Sequence, residues 1–218
     1  MFHFASCPEC AKRQKAAQVI DLAIAPRFRE CSVQNWKTPL PEMKKVREEV
    51  SNWCRNIDAK LKRGACIVMS GESGTGKTHL ASAICMLALR KGYTAKLLKA
   101  SEFFEEIFKT YEKQKLGELH PATSEVMNTF ADIDLLIFDD LGASSADGHR
   151  GDLLFDLIDR RYNRARSTII TSNLPIENKA NPKLSVKGYL GGKAARRIFE
   201  NCLELRFSWK PEVLKGAK

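Results

Sequence analysis

The feature that most restricts the fold of this chain is a glycine-rich turn between an apolar run and a helix. Residues 71–78, GESGTGKT, fit the pattern G-x-x-x-x-G-K-[ST] without a mismatch. A short β-favouring run, residues 65–69, precedes the turn, and a helix is predicted from about residue 77 to residue 91. Because this turn joins a strand to a helix in fixed order, it predicts an α/β domain.

The remainder of the chain continues this alternation of strand-like and helical patterns. Further strands are predicted at 93–99, 133–138, 168–171 and 202–209. Further helices are predicted at 41–63, after Ser101 as N-cap, at 124–131 and at 152–164, with a polar loop over 113–123. The alternation predicts a parallel sheet with helices on both faces, in a phosphate-loop fold.

The composition of the turn points to a polyphosphate ligand. Its glycines let successive backbone N–H groups point inward, and the helix that follows adds partial positive charge. Lys77 is then placed to reach the β- and γ-phosphates, and the Thr78 hydroxyl to coordinate Mg²⁺. The residues predicted to bind nucleotide are Gly71, Glu72, Ser73, Gly74, Thr75, Gly76, Lys77, Thr78 and His79.

Acidic and amide side chains follow two of the later strands. Asp139 ends the apolar run LLIF, where it would meet Mg²⁺ if its strand lies close to the turn, and Asp140 is placed to polarise an attacking water. Asn173 follows the next strand and would hold that water or sense the γ-phosphate; its alternative is a turn residue ahead of Pro175.

A basic segment, residues 193–199 (KAARRIF), precedes the final strand. One of its arginines would project into the nucleotide of a neighbouring subunit, where such an arginine increases the rate by about 10³ to 10⁵. The alternative is a solvated helix face.

The charge of the chain favours a polyanionic partner. The sequence has 36 Lys and Arg against 26 Asp and Glu, a formal charge of +10, and phosphates neutralised by these cations would release counterions. No apolar run approaches the length of a membrane span, and the first residues lack the layout of a secretory signal, so a cytoplasmic protein is expected.

The cysteines do not indicate a disulfide framework, since their number is seven. Cys7 and Cys10 have the two-residue spacing of a zinc pair, and His3 and Cys31 would complete four ligands. The usual second closely spaced pair is missing, so an arm without metal is the alternative. Residues 1–40 are predicted to form a short helical N-terminal arm, and residues 41–218 the main domain.

Taken together, GESGTGKT, LLIFDDLG, IDRRYNRARSTIITSN and GGKAARRIFENCLELRF resemble the DnaC and IstB branch of AAA+ ATPases, over about residues 26–209. That branch comprises replicative helicase loaders and transposition helper ATPases. The resemblance implies Lys77 and Thr78 as the Walker A pair, Asp139 and Asp140 as the Walker B acids and Asn173 as sensor 1. It also implies Arg197 as the arginine finger, with Arg196 as the second choice.

The resemblance further implies slow ATP hydrolysis, because Asp140 stands where many AAA+ proteins have the longer Glu. It implies no helical lid after the last strand, a partner-binding role for the N-terminal arm, and single-stranded DNA contacts from Phe103, Phe104 and residues 109–115. The alternative to these contacts is a core-facing side of that helix, since Phe104, Ile107 and Phe108 are spaced like core residues. The arginines at 160, 161, 164 and 166 form the densest basic cluster, for which DNA, a subunit interface and solvent are all open.

The leading hypothesis is an ATP-dependent protein that self-assembles through its ATP site and loads a replicative DNA helicase onto single-stranded DNA. A transposition helper with the same fold is the nearest alternative. A small-molecule kinase with its pocket bordered by residues 142–151, and an adaptor that binds ATP without hydrolysing it, are the alternatives of other classes.

Overall fold

The computed structural model describes residues 23–115, 122–142 and 148–215 and has a five-stranded parallel sheet at its centre. The strands are β1 (Cys66–Gly71), β2 (Ala95–Lys99), β3 (Leu135–Asp139), β4 (Ser167–Ser172) and β5 (Cys202–Phe207). Their order across the sheet is β2-β3-β4-β1-β5, with all neighbours parallel. The carboxyl ends of all strands therefore meet at one edge, the carboxyl edge, and their amino ends at the opposite edge, the amino edge.

Helices connect the strands and cover both faces of the sheet. They are α1 (Pro41–Arg55), α2 (Ile57–Lys62), α3 (Lys77–Arg90), α4 (Ala100–Lys115), α5 (Thr123–Asp132), α6 (His149–Asn163), α7 (Val186–Glu200) and α8 (Glu212–Lys215), preceded by a 3-10 turn at Pro26–Phe28. The phosphate-loop α/β fold predicted from the sequence is confirmed.

Each face of the sheet has its own apolar core, because strand side chains alternate between the faces. Ile67 and Met69 of β1 pack beneath α1 and α3, whereas Val68 packs with α4, α5, α6 and α7 on the other face. The helix α1 contributes one apolar stripe to the first core, with Met43, Val46, Val50 and Trp53 all buried. Burial on both sides holds the carboxyl edge rigidly in place.

Several predicted boundaries differ from the structure. The predicted helix over 41–63 is divided at Asn56, whose φ and ψ of −107° and 21° are not helical. Ser101 is not an N-cap, since α4 begins at Ala100 and the backbone N–H of Lys99 is bonded by the Glu102 carboxylate instead. Residues 113–115, predicted as loop, belong to α4.

Residues 23–40 pack against the first core. Trp36 is buried and its ring lies 6.0 Å from that of Phe207 and 5.8 Å from that of Trp209. The zinc prediction for Cys7 and Cys10 concerns residues outside the described ranges, as do His3 and the predicted arm up to residue 22. The boundary predicted at residue 40 stays a prediction.

The four arginines of the predicted basic cluster differ in exposure, since Arg161 is buried and the other three are partly or fully exposed. Arg161 is fully buried, and its guanidinium donates to Phe130 O at 2.7 Å, Ile133 O at 2.8 Å, Thr168 Oγ1 at 3.0 Å and Ser167 O. Burial lowers its pKa to about 9, which still leaves it charged at neutral pH. The other three arginines form ion pairs, Arg160 with Asp156, Arg164 with Asp132 and Arg166 with Asp134. Arg161 thus joins α5 to the amino ends of β3 and β4.

Within the described ranges, no helix combines the length and the apolar character that crossing a membrane requires.

Candidate functional site

The glycine-rich turn lies at the carboxyl edge, between the end of β1 and the start of α3. Gly71, Gly74 and Gly76 have φ angles of 150°, 80° and 101°, in the region that favours glycine. At Gly71 a side chain is also excluded by space, because its Cβ would lie 2.2 Å from the carbonyl oxygen of Phe207 on β5. The backbone of the turn is therefore fixed by close packing as well as by its own geometry.

Lys77 is buried beneath this turn, with 6% of its surface exposed. Its ammonium donates to the carbonyl oxygens of Gly71 and Glu72, both at 2.7 Å, and to Oδ1 of Asn173 at 3.0 Å. Burial lowers the pKa of Lys77, and the charges of Asp140 and Asp139 act against that effect. The cation is held at the point where the turn meets the end of β4.

The Thr78 hydroxyl and the Asp139 carboxylate meet across the sheet. Thr78 Oγ1 donates to Asp139 Oδ1 at 2.8 Å, although the strand β4 lies between β1 and β3. That strand supplies a third group, since Thr171 Oγ1 donates to the same oxygen at 2.6 Å. A hydroxyl and a carboxylate at this distance are oxygen ligands of the kind that Mg²⁺ prefers, so the residues present fit that ion.

Asp140 follows β3 in a conformation that is rare for a residue with a side chain, with φ at 57°. Its backbone N–H donates to Thr171 Oγ1 at 2.9 Å, and the next N–H, of Leu141, donates to Thr171 O at 2.8 Å. Its carboxylate accepts from Asn173 Nδ2 at 2.7 Å. Thr171 and Asn173 thereby hold the backbone and the side chain of Asp140 in one orientation.

The remaining turn residues are held by structural contacts. Thr75 is buried and donates to Glu72 O at 2.7 Å, and its own carbonyl accepts from Trp209 Nε1 at 3.1 Å. Ser73, in contrast, is exposed. His79 is turned towards the preceding segment: its ring contacts Cys31 Sγ at 3.5 Å and Asn35 Oδ1 at 2.9 Å.

Arg197, the predicted arginine finger, lies at the amino edge, in the last turn of α7 before β5. It forms an ion pair with Asp159 of α6, and its guanidinium lies 5.0 Å from the ring centre of Phe155. Arg196 beside it is exposed. Both arginines are therefore on the edge opposite the glycine-rich turn of the same chain.

The aromatic residues predicted to face DNA are in the core. Phe103 and Phe104 are 0% and 1% exposed, so that part of the prediction is wrong. They sit at positions of α4 that face the sheet, and Phe103 packs edge-on against Phe130 and Phe138. Lys109 is exposed, the side chains of residues 113–115 are not among those described, and most of the predicted pocket border, residues 143–147, lies outside the described ranges.

A second group of aromatic residues lies where the outer side of α4 meets the start of α6. The ring of His149 at the start of α6 lies 6.1 Å from Phe108 and 5.7 Å from Tyr111, and the guanidinium of Arg150 lies 5.8 Å from the ring centre of Phe108. These four residues, here the aromatic surface, were missed because they come from two separate segments. His149 is exposed and the other three are half-buried.

Thr171 is a further residue of the candidate site that the sequence analysis did not identify. Its signal was available, since it stands two residues before Asn173 and would share a strand face with it. Among the described residues no three His, Cys, Asp or Glu side chains are grouped to hold a metal ion. A magnesium site here would therefore be completed by hydroxyl, phosphate and water oxygens.

Comparisons with known proteins identify the family. The family model described as IstB-like ATP binding protein matches residues 53–181, which include the turn, both aspartates and Asn173. The replicative helicase loader DnaC of Escherichia coli K12 is 24% identical over 187 residues, 85% of this chain and 70% of that protein.

Solved structures show the same fold. A crystal structure of the DnaC helicase loader superposes with a TM-score of 0.67 at 22% identity, over 84% of this chain and 99% of that one. The replication initiator DnaA bound to AMPPCP and single-stranded DNA superposes with a TM-score of 0.65 at 19% identity, over 85% of this chain and 51% of that one. The sheet and its helices are those of AAA+ domains.

Proposed function

Because the chain belongs to the family of IstB-like ATP binding proteins, we propose that it is an ATPase that loads a replicative helicase onto single-stranded DNA. ATP binding would drive assembly of several copies, and hydrolysis would release the helicase. The DnaC relatives are replicative helicase loaders, which supports the helicase as partner, and such partners would place the protein in the cytoplasm.

One observation carries the proposal of ATP hydrolysis. Lys77, Asn173 and Asp140 form a continuous chain of hydrogen bonds, and Thr78 and Asp139 meet 2.8 Å apart beside it. These are the groups needed to hold phosphate, metal and water, and they come together from three strands at one edge of the sheet.

Each group has a defined part in the proposed reaction. Lys77 binds the phosphates, and Mg²⁺ held by Thr78 and Asp139 would neutralise part of the phosphate charge. Asp140 orients the attacking water and accepts its proton, and Asn173 keeps the carboxylate of Asp140 pointed at that water. Since the side chain of Asp140 is shorter than that of Glu by one methylene and lies further from the water, we expect slow turnover.

Completion of the site would need a second copy of the chain. Arg196 and Arg197 lie at the amino edge, so neither reaches the turn of its own subunit. Stacking of the amino edge of one copy on the carboxyl edge of the next would bring an arginine to the γ-phosphate. Arg196 is exposed, whereas Arg197 would first have to leave Asp159, so alanine variants of each should be compared.

The aromatic surface is the proposed contact for single-stranded DNA. Stacking of bases on aromatic rings contributes about 1–3 kcal/mol per base, and Arg150 and Lys109 would meet the phosphates. Tyr111→Ala should weaken binding of an oligonucleotide. The control is Tyr93→Ala, because that tyrosine is bonded to Asp58 and lies away from the surface.

The decisive experiment measures three quantities on the same protein: ATP turnover, its response to single-stranded DNA, and co-purification with the replicative helicase. Lys77→Ala should abolish all nucleotide-dependent effects, whereas Asp140→Asn should retain ATP binding and lose turnover. If Asp140→Asn still supports a single loading cycle, nucleotide binding alone is sufficient for loading. Absence of ATP binding by the folded protein would rule out the whole proposal.

The match to the IstB-like family also supports a second candidate, the transposition helper implied by the sequence resemblance, which would act on duplex DNA. It would use the same ATP site, so the site itself does not separate the two. Co-purification with a transposase in place of a helicase, and stimulation of ATP turnover by duplex rather than single-stranded DNA, would select this candidate.

A further inference from the structure

An arginine-lined cavity lies at the amino edge, away from the glycine-rich turn. Its volume is about 250 Å³, and its wall includes Arg63 and Gly64 before β1, Ala165 and Arg166 before β4, and Asn201 before β5. All of these residues precede their strands, whereas the turn follows Gly71 at the end of β1. The cavity is therefore a separate site on the opposite edge of the sheet.

The wall of this cavity carries more positive than negative charge. Four arginines line it, at positions 63, 161, 166 and 197, and its single acidic member is Glu200. Glu200 accepts a hydrogen bond of 2.7 Å from the Tyr162 hydroxyl. Asp134 and Asp159 pair with Arg166 and Arg197 from outside the wall, so the described charges around the cavity still sum to a positive value.

Two of the arginines have N–H groups that find no acceptor among the described residues. Arg166 has its Nε buried without an acceptor, although its terminal nitrogen pairs with Asp134. Arg161 uses four of its five N–H groups on three carbonyls and one hydroxyl. A buried donor without an acceptor costs about 1–3 kcal/mol, and an ion is one of the ways in which proteins satisfy such a group.

We propose that this cavity binds a phosphate group. Guanidinium groups match the oxygens of phosphate in geometry and bind them through charge-assisted hydrogen bonds. Arg166 Nε and the exposed Arg63 supply the contacts, and Arg161, whose guanidinium is held by neutral carbonyl and hydroxyl acceptors, supplies a fixed positive charge behind them. The cavity is large enough for a terminal phosphate with its neighbouring group.

The phosphate has two chemical sources, a free polyphosphate or the terminal phosphate of a nucleotide held by a second copy of this chain. The second source rests on the proposed function. Arg197 lines the cavity, so a neighbouring nucleotide that approached this edge would meet Arg63 and Arg166 as well.

Calorimetric titration with inorganic pyrophosphate tests the cavity directly. The full chain is first saturated with ADP and Mg²⁺, so that the glycine-rich turn is filled. We expect one further binding event, weakened about tenfold by Arg63→Gln and by Arg166→Gln, the effect of losing one charge-assisted hydrogen bond. Arg55→Gln is the matched control, since Arg55 is exposed on α1 and bonded to Asn52.

Two results would overturn the proposal: no further event in the wild-type protein, or an event unchanged in both variants. Arg63 is exposed, so Arg63→Gln keeps the test valid if Arg166→Gln does not fold. If ADP does not bind, the proposed function fails, and titration of Lys77→Ala protein with pyrophosphate still decides the cavity.

Sedimentation with ATP and Mg²⁺ separates the two sources. If the phosphate is that of a second copy, Arg63→Gln should lower both the pyrophosphate affinity and the ATP-dependent mass. If it is a free polyphosphate, only the pyrophosphate affinity should fall. Both results support a phosphate-binding cavity and assign its source.

Discussion

The side-chain amide of Asn173 connects Asp140 to Lys77, donating to the carboxylate at 2.7 Å and accepting from the ammonium at 3.0 Å. An amide is suited to this position because it offers a donor to the acid and an acceptor to the base. A single side chain therefore fixes the relative orientation of the two charged groups proposed to act on ATP.

Asn173→Asp should lower ATP turnover by about 10²-fold while ATP still binds. The new carboxylate would lose the donated hydrogen bond and repel Asp140, so the proposed base would be misoriented. Single-turnover measurements with the binding constant of ATP measured in parallel would check this. Turnover at the wild-type rate would contradict a positioning role for Asn173.

Thr171→Val should destabilise the fold by about 1–3 kcal/mol and lower turnover. The hydroxyl donates to Asp139 and accepts from the backbone N–H of Asp140, and valine of similar shape does neither. Thr171→Ser keeps the hydroxyl and should restore most of both quantities. Urea unfolding and ATP turnover of the two variants would be compared.

Arg161→Met should lower the free energy of unfolding by about 3 kcal/mol or more, because three buried carbonyl groups lose their donor. Arg160→Met on the same helix removes partly exposed contacts with Asp156 and Asn128, so its effect should stay below about 1 kcal/mol. Equal effects of the two substitutions in urea unfolding would show that Arg161 is not the buried link described.

Gly71→Ala should destabilise the protein by about 2 kcal/mol or more and weaken ATP binding. The added Cβ would lie 2.2 Å from a backbone oxygen of β5, so the two strands would have to separate. Gly192→Ala is the control, since its Cβ meets no atom within 4 Å. Thermal unfolding and ATP titration would distinguish the two.

As the pH is raised, ATP binding should weaken at a lower pH than it would with a lysine of ordinary pKa. Burial lowers the pKa of Lys77, so its ammonium loses the proton, and with it the attraction for phosphate, at a lower pH than the ammonium of a solvent-exposed lysine. Lys77→Arg keeps its charge throughout this range and should show a flatter profile. Titration of ATP at a series of pH values would test this; identical profiles would contradict it.

The parts of the fold predicted from the sequence are those fixed by local chemistry. The glycines of the turn, the apolar run ahead of Asp139 and the apolar stripe of α1 each define their own element, whichever residues lie opposite them. The burial of Arg161 was missed because it depends on carbonyls from α5 and the amino ends of two strands. The break at Asn56 was missed because the apolar stripe continues to Ile57.

The site shows the same division. Asp139 and Asn173 were predicted from their places at strand ends, and their proposed roles stay predictions. The part played by Thr171 depends on the strand order, which places β4 between β1 and β3, and no local pattern states that order. The aromatic surface could not be predicted because it forms only where α4 contacts α6. Whether Phe104 or Phe108 is the more buried depends on the rotation of α4 about its axis.

The packing of Trp36 over Gly76 has a mechanical consequence. A Cβ on Gly76 would lie 2.3 Å from Trp36 Nε1, so the indole is a lid resting directly on the backbone that would grip a nucleotide. A displacement of residues 23–40 that moved this indole would uncover the glycine-rich turn. A movement of the segment that carries Trp36 would thus change the proposed nucleotide site without any change in the sheet.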